Sequence, residues 1–227
     1  NKPVCFRVLG FEHDGSGRKR AICSRRAAQE SCVSEYLSKL VPGDVIPAAV
    51  THMESFGCFA DIGCGISSLL PIDSISVSRI GHPSDRFRTG QNIFVVVSGR
   101  DESGRICLSH KELLGTWEEN AAAFSPGETV GGIIRSVEDY GVFVELTPNL
   151  AGLAEPCPML HPGQQASVYV KSLIPEKMKI KLIIVDAFDG DNAPSPLCYY
   201  ITEGHINCWQ YSPDSCRKNI SSVFPRD

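Results

Sequence analysis

Phe56 and Phe59 bracket Gly57 and Cys58, and 84 positions further on Tyr140 and Phe143 bracket Gly141 and Val142. Rings of this kind make and break no bonds, but they can stack. An outward aromatic pair near basic residues offers a π-platform to unpaired bases, at about 1–3 kcal/mol per base and with little dependence on sequence. Strict alternation along a strand would send the two rings of a pair to opposite faces. The glycine between them permits a strand start or a bulge that turns both outward. The competing assignment is a pair of core phenylalanines in a small barrel. Recurrence of the pair with a tyrosine argues against it, because a phenolic hydroxyl prefers to stay wet.

Other chemistries lack a pattern. The six histidines are scattered, and no spacing supports a Ser-His-Asp set or paired carboxylates. There is no glycine-rich phosphate cradle and no calcium loop. Cys198, His205, Cys208 and Cys216 are all metal-ligand types, but they lack the close pair of a zinc site and read as packed thiols. The expectation is a non-enzymatic protein with no cofactor and no bound metal. Ten cysteines occur without a Cys-x-x-Cys pair or a secretory leader, which points to reduced, structural thiols in a cytoplasmic protein. Cys23, Cys58 and Cys107 occupy apolar strand positions, where a thiol acts as a small hydrophobe. No apolar run approaches the roughly 18 residues of a membrane span, so no membrane partner is expected. The net charge of −4 argues against strong non-specific attraction to a polyanion. The charge is uneven, however: residues 1–40 carry eight Lys and Arg against four Asp and Glu, and Lys171, Lys177, Lys179 and Lys181 form a second basic group.

The elements that must hold the aromatic pairs can be read from turn signals and periodicity. Residues 43–109 contain five short β-rich runs separated by Gly, Pro and Asp clusters, with strands at 45–52, 56–62, 66–70, 92–98 and 105–109. Five short strands in a soluble domain suggest a closed barrel, since closure removes exposed edges. Pro42-Gly43-Asp44 returns as Pro126-Gly127-Glu128 at the same 84-residue offset as the aromatics, which marks 127–185 as a second copy. Residues 1–24 read as a hairpin about a turn at 13–17. Arg20 to Arg26 parallels Arg105 to Lys111, so the hairpin resembles the last two strands of an earlier copy whose first three are missing. Asn1 in place of an initiator Met also suggests a fragment or a processed chain. Residues 25–40 and 110–124 read as linker helices, each stopped by Pro-Gly. Asp186–Pro196 reads as a linker, and the aromatic-rich remainder as an ordered extension of unknown fold.

Gly43-Asp44-Val45, the Phe56 to Asp61 strand, Gly65 to Pro71 and the closing Gly104 to Lys111 together resemble the S1 RNA-binding domain. The resemblance implies an all-β chain of tandem five-stranded OB-fold barrels of S1 type joined by helical linkers. The implied boundaries are a half-repeat and linker helix at 1–40, S1 domains at 43–110 and 127–186, a linker helix at 111–126 and an extension at 187–227. It also implies a single-stranded RNA site of two aromatics, a histidine closing the third strand, and an Asp…Arg pair across the last turn. In the first copy Phe56, Phe59, Asp101 and Arg105 match, while Pro71 stands at the histidine position. In the second, Tyr140 and Phe143 match, Lys179 stands for the arginine, Pro175 for the acid and Glu155 for the histidine. In the half-repeat Arg20 and Asp14 remain. The implied partner is mRNA or rRNA, with the ribosome as a further partner. The alternative is a docking module on the ribosome or on an RNA-processing complex with little RNA affinity of its own. A third reading, an accessory fragment of a ribonuclease, has no catalytic constellation behind it.

Overall fold

The computed structural model describes residues 4–190 and 196–225. Two closed five-stranded barrels dominate it. The first comprises β3 (Val45–Glu54), β4 (Gly57–Asp61), β5 (Ser67–Pro71), β6 (Asn92–Arg100) and β7 (Ile106–Ser109). The second comprises β8 (Thr129–Glu138), β9 (Gly141–Thr147), β10 (Leu150–Ala154), β11 (Gln165–Ile174) and β12 (Lys179–Phe188). Strand order is identical in both: first, second, third, fifth, fourth and back to the first, with only the third and fifth strands parallel. Period-2 alternation builds each interior. Ile46, Ala48, Val50, Cys58, Ala60 and Leu70 point into the first barrel, and Val142, Val144, Val168, Val170, Ile180 and Leu182 into the second. The repeated Pro-Gly-acid triplet is the entry turn. Gly43 N–H donates to Val97 and Gly127 N–H to Val170, while the Asp44 and Glu128 carboxylates accept from Val41 and Ser125 N–H.

Ahead of the barrels, β1 (Arg7–His13) and β2 (Lys19–Ser24) form a hairpin, and Ser24 caps α1 (Arg25–Glu35) by accepting from Ala27 N–H at 3.1 Å. The hairpin turn copies that of β6–β7. Asp14 N–H donates to Arg18 carbonyl and Gly17 N–H to Asp14 carbonyl, as Asp101 and Gly104 do in the first barrel. Among the described residues no helix is long and apolar enough to cross a membrane.

Three features go beyond the expected arrangement. The barrels are not beads on a helical string but are packed against each other. Arg86, from the β5–β6 connection, reaches Glu145 on β9 at 2.5 Å, and Arg135 on β8 grips the same carboxylate at 2.8 and 3.0 Å. Asn149, in the β9–β10 turn, accepts from Val77 N–H and donates to the Lys111 and Gly115 carbonyls. Arg86 and Glu145 lie 59 residues apart, and the partners of Asn149 34 or more from it, so no local pattern announces them.

Secondly, the helix expected across 111–126 is a 3-10 turn at Lys111–Leu114 followed by a short α2 (Trp117–Ala121). Gly115 breaks it at φ +81, and a Cβ there would sit 2.7 Å from the Tyr200 ring. Thr116 then starts α2 with a reciprocal cap to Glu119.

Thirdly, the C-terminal extension is a strap over both barrels, with a small hairpin of β13 (Cys208–Gln210) and β14 (Ser221–Val223). Part of the linker expected at 186–196 falls in residues 191–195, outside the described residues; β12 already extends through Phe188. Ile206, Trp209, Tyr211 and Phe224 of the strap join Val96, Leu113 and Trp117 in one buried cluster with the second barrel. Tyr211 hydroxyl donates to Asn149 carbonyl, and Val45 N–H donates to Gly204 carbonyl. His110, fully buried, sits under the strap. Its Nδ1–H donates to Ile75 carbonyl at 2.7 Å and its Nε2 accepts from Tyr199 hydroxyl at 3.1 Å. Burial pushes the imidazole down to about 4, which keeps it neutral in this role.

All ten cysteines are free thiols. Cys58 is fully buried, but Cys198 and Cys208 are exposed rather than packed. Alternation in β13 is the reason for Cys208: Trp209 turns inward and both neighbours turn out. His205 is engaged with Asp44 at 2.8 Å, and no metal-binding cluster of His, Cys, Asp or Glu occurs among the described residues.

Candidate nucleic-acid interface

Each aromatic pair sits at the hairpin between the first two strands of its barrel. Ser55-Phe56 and Asp139-Tyr140 are the turn residues, and Phe59 and Phe143 follow on β4 and β9. Pleat alternation therefore does not apply to the first ring of either pair, since Phe56 and Tyr140 precede the strand. Phe56 is 54% exposed and Tyr140 67%. The geometry repeats closely: ring centroids lie 6.2 Å apart at 86° in the first barrel and 6.1 Å at 85° in the second.

The glycine has a second task beyond starting the strand. A Cβ on Gly57 would lie 2.5 Å from Leu70 carbonyl oxygen, and one on Gly141 2.6 Å from Ala154 carbonyl oxygen. Only a bare Cα lets β4 close on β5, and β9 on β10. Gly57→Ala is expected to destabilise the protein by about 1–3 kcal/mol, read as a lower urea midpoint; an unchanged midpoint would mean that β5 gives way freely.

Strand register carries each platform round the barrel. His52 pairs with Phe59, Phe59 with Leu69, and Leu69 with Cys107, which makes one outward row across β3, β4, β5 and β7. In the second barrel the same row reads Ser136, Phe143, Leu153 and Lys181. Both barrels bulge at the same place in the first strand, between Val50 and His52 and between Ile134 and Ser136. Two members of these rows were not among the expected site residues: His52, and Lys181, which the sequence marks only as part of a basic group. A signal existed for Lys181: in Lys179-Ile180-Lys181-Leu182 the two apolar residues are buried and both lysines exposed. His52 depends on the bulge and could not be placed from spacing.

The Asp101…Arg105 pair is less direct than expected. The Asp101 carboxylate accepts from the Ser103 and Arg105 backbone N–H groups, both at 2.8 Å, so it holds the turn that presents Arg105. Arg105 is exposed just before β7. In the half-repeat Asp14 does the same for Ser16 and Arg18, both at 2.9 Å. Arg18 therefore occupies the turn position of Arg105, while Arg20 lies two residues on and ion-pairs with Asp14 at 3.2 Å. Pro71 ends β5 opposite Gly57. In the second barrel the turn is a 3-10 segment at Pro175–Lys177 with Met178 left-handed at φ +48, and exposed Lys179 begins β12. Glu155 is exposed just beyond β10. Glu145, two residues past Phe143, stands on the same outward side of β9 and is occupied by Arg86 and Arg135.

The family model described as "S1 RNA binding domain" matches residues 39–111, which span the whole first barrel. Small ribosomal subunit protein bS1 of Leuconostoc lactis is 33% identical over 199 residues, 80% of this chain and 46% of that protein. The bS1 homolog of Bacillus cereus is 31% identical over 242 residues, 98% of this chain and 59% of that protein. The chain is an S1-like protein. It spans roughly half the length of these curated relatives, 46% and 59%. Its first S1 barrel keeps the aromatic pair and the Asp-held turn. The second barrel keeps the aromatics and the identical register, and replaces the acid-stabilised turn by a lysine edge.

Proposed function

We propose that this chain binds single-stranded RNA, mRNA or rRNA, on the outer faces of its barrels, and works in translation in the cytoplasm in association with the ribosome. The reading is one of binding without catalysis. The observation that carries it is the aromatic pair itself: an exposed ring at the hairpin and a partly exposed one on the next strand, repeated at the same spacing and angle in both barrels. The rings share each barrel's outer side with exposed basic residues, Arg105 before β7 in the first and Lys179 and Lys181 on β12 in the second, which combines stacking with phosphate contact. The relatives are named as small-subunit ribosomal proteins, which supports the ribosomal setting.

Fluorescence anisotropy with a labelled single-stranded RNA tests this. Affinity should fall linearly on a log–log plot against salt, and Lys179→Ala with Lys181→Ala should flatten the slope by about 1.4, at roughly 0.7 per phosphate contact on a single strand. Absence of binding at low salt, together with nuclease-resistant capture on ribosomes, would replace the reading with that of a protein-docking module.

A further inference from the structure

The first barrel holds a third ring that the second lacks. His52 faces Phe59 from the neighbouring strand, the planes 21° from parallel and the centroids 6.5 Å apart. A planar base inserted between two rings needs about 6.8 Å, twice the roughly 3.4 Å step of stacked nucleic acid. Cross-strand side chains stand up from the sheet, so these near-parallel rings on adjacent strands present their outer edges to solvent with a centroid spacing close to that value.

We propose that His52 and Phe59 clamp one unpaired base between them, and that His52 is a binding residue of the first barrel. This rests on the RNA-binding reading above and assigns one nucleotide a defined place in it. Three features build the slot. The β3 bulge between Val50 and His52 brings the imidazole opposite Phe59. Glu54, two residues on, holds His52 Nε2 at 2.6 Å and steadies the ring. Phe56 meets Phe59 edge-on and walls one side. In the second barrel Glu138 is kept, but Ser136 replaces the imidazole opposite Phe143, leaving an open platform with one stacking face. The ligand is therefore a base with both faces free. Single strands supply it and a duplex does not, because stacked neighbours cover those faces.

The test uses the full chain and a single-stranded RNA of about ten nucleotides, within the site size of one such barrel, carrying one 2-aminopurine. His52 side chain is 64% exposed, so its replacement leaves the fold intact. His52→Ala should weaken binding about tenfold, within the range of one stacked base, and should relieve the quenching of 2-aminopurine. His52→Phe should restore both. If His52→Ala binds within twofold of the parent while Phe56→Ala with Phe59→Ala does not, the slot is overturned and the RNA reading stands. If His52→Phe is as weak as His52→Ala, the histidine acts by a polar contact and the clamp is again overturned. A parent chain that binds no RNA at all removes the underlying reading instead.

Discussion

The Phe56→Ala, Phe59→Ala double variant should lose at least about thirtyfold in affinity for single-stranded RNA, the equivalent of two stacked bases at the low end of roughly 1–3 kcal/mol each. The two rings pack edge-to-face at 6.2 Å on the outside of the first barrel, with the interior filled by Cys58, Ala60 and Leu70 instead. Their loss strips the platform and leaves the core in place, so circular dichroism and the urea midpoint should change little. The Tyr140→Ala, Phe143→Ala pair is the matched comparison. Its effect should be smaller, because Ser136 stands opposite Phe143 where the first barrel has the His52 ring, and the second barrel draws more of its affinity from Lys179 and Lys181. Equal affinity of the first double variant and the parent at the same salt would end the stacking argument.

Glu145→Ala is expected to cost about 3–5 kcal/mol of stability, the usual consequence of removing one partner from a buried ion pair. The carboxylate is shared by Arg86, whose side chain is 3% exposed, and Arg135, at 13%. Without it two guanidiniums face each other in the joint, with Asp85, a third exposed and 3.7 Å from Arg135, as a partial counter-charge. Burial already lowers the Arg86 pKa from its ordinary value, with Glu145 opposing that shift. Urea unfolding followed by the fluorescence of Trp117 and Trp209, both buried in the cluster that joins the strap to the second barrel, reads the loss. Replacing Arg86, Arg135 and Glu145 together by apolar residues of similar volume should recover a large part of it, since an apolar set needs no desolvation. A Glu145→Ala midpoint indistinguishable from the parent would show that Asn149 and the strap hold the joint without the ion pairs.

Both barrels were legible in the chain because barrel formation is governed by local signals. Alternating apolar residues, Pro-Gly-acid entry turns and glycines at strand starts recur at a fixed 84-residue offset, and each acts within a few residues of where it stands. The aromatic pairs were legible for the same reason, although the purpose of Gly57 was not. Its closeness to Leu70 carbonyl oxygen depends on how two strands meet. What needed the folded molecule was everything that joins distant segments. Arg86 finds Glu145 across 59 residues, His205 finds Asp44 across 161, and Tyr199 reaches His110 across 89. A linear pattern carries no record of such pairs, because burial of a charge or closure of a strap is rewarded only after both barrels exist. The same holds for the outward rows. Periodicity says which residues leave the core, but register, set here by one bulge in β3 and its twin in β8, decides that His52 stands beside Phe59 and Ser136 beside Phe143.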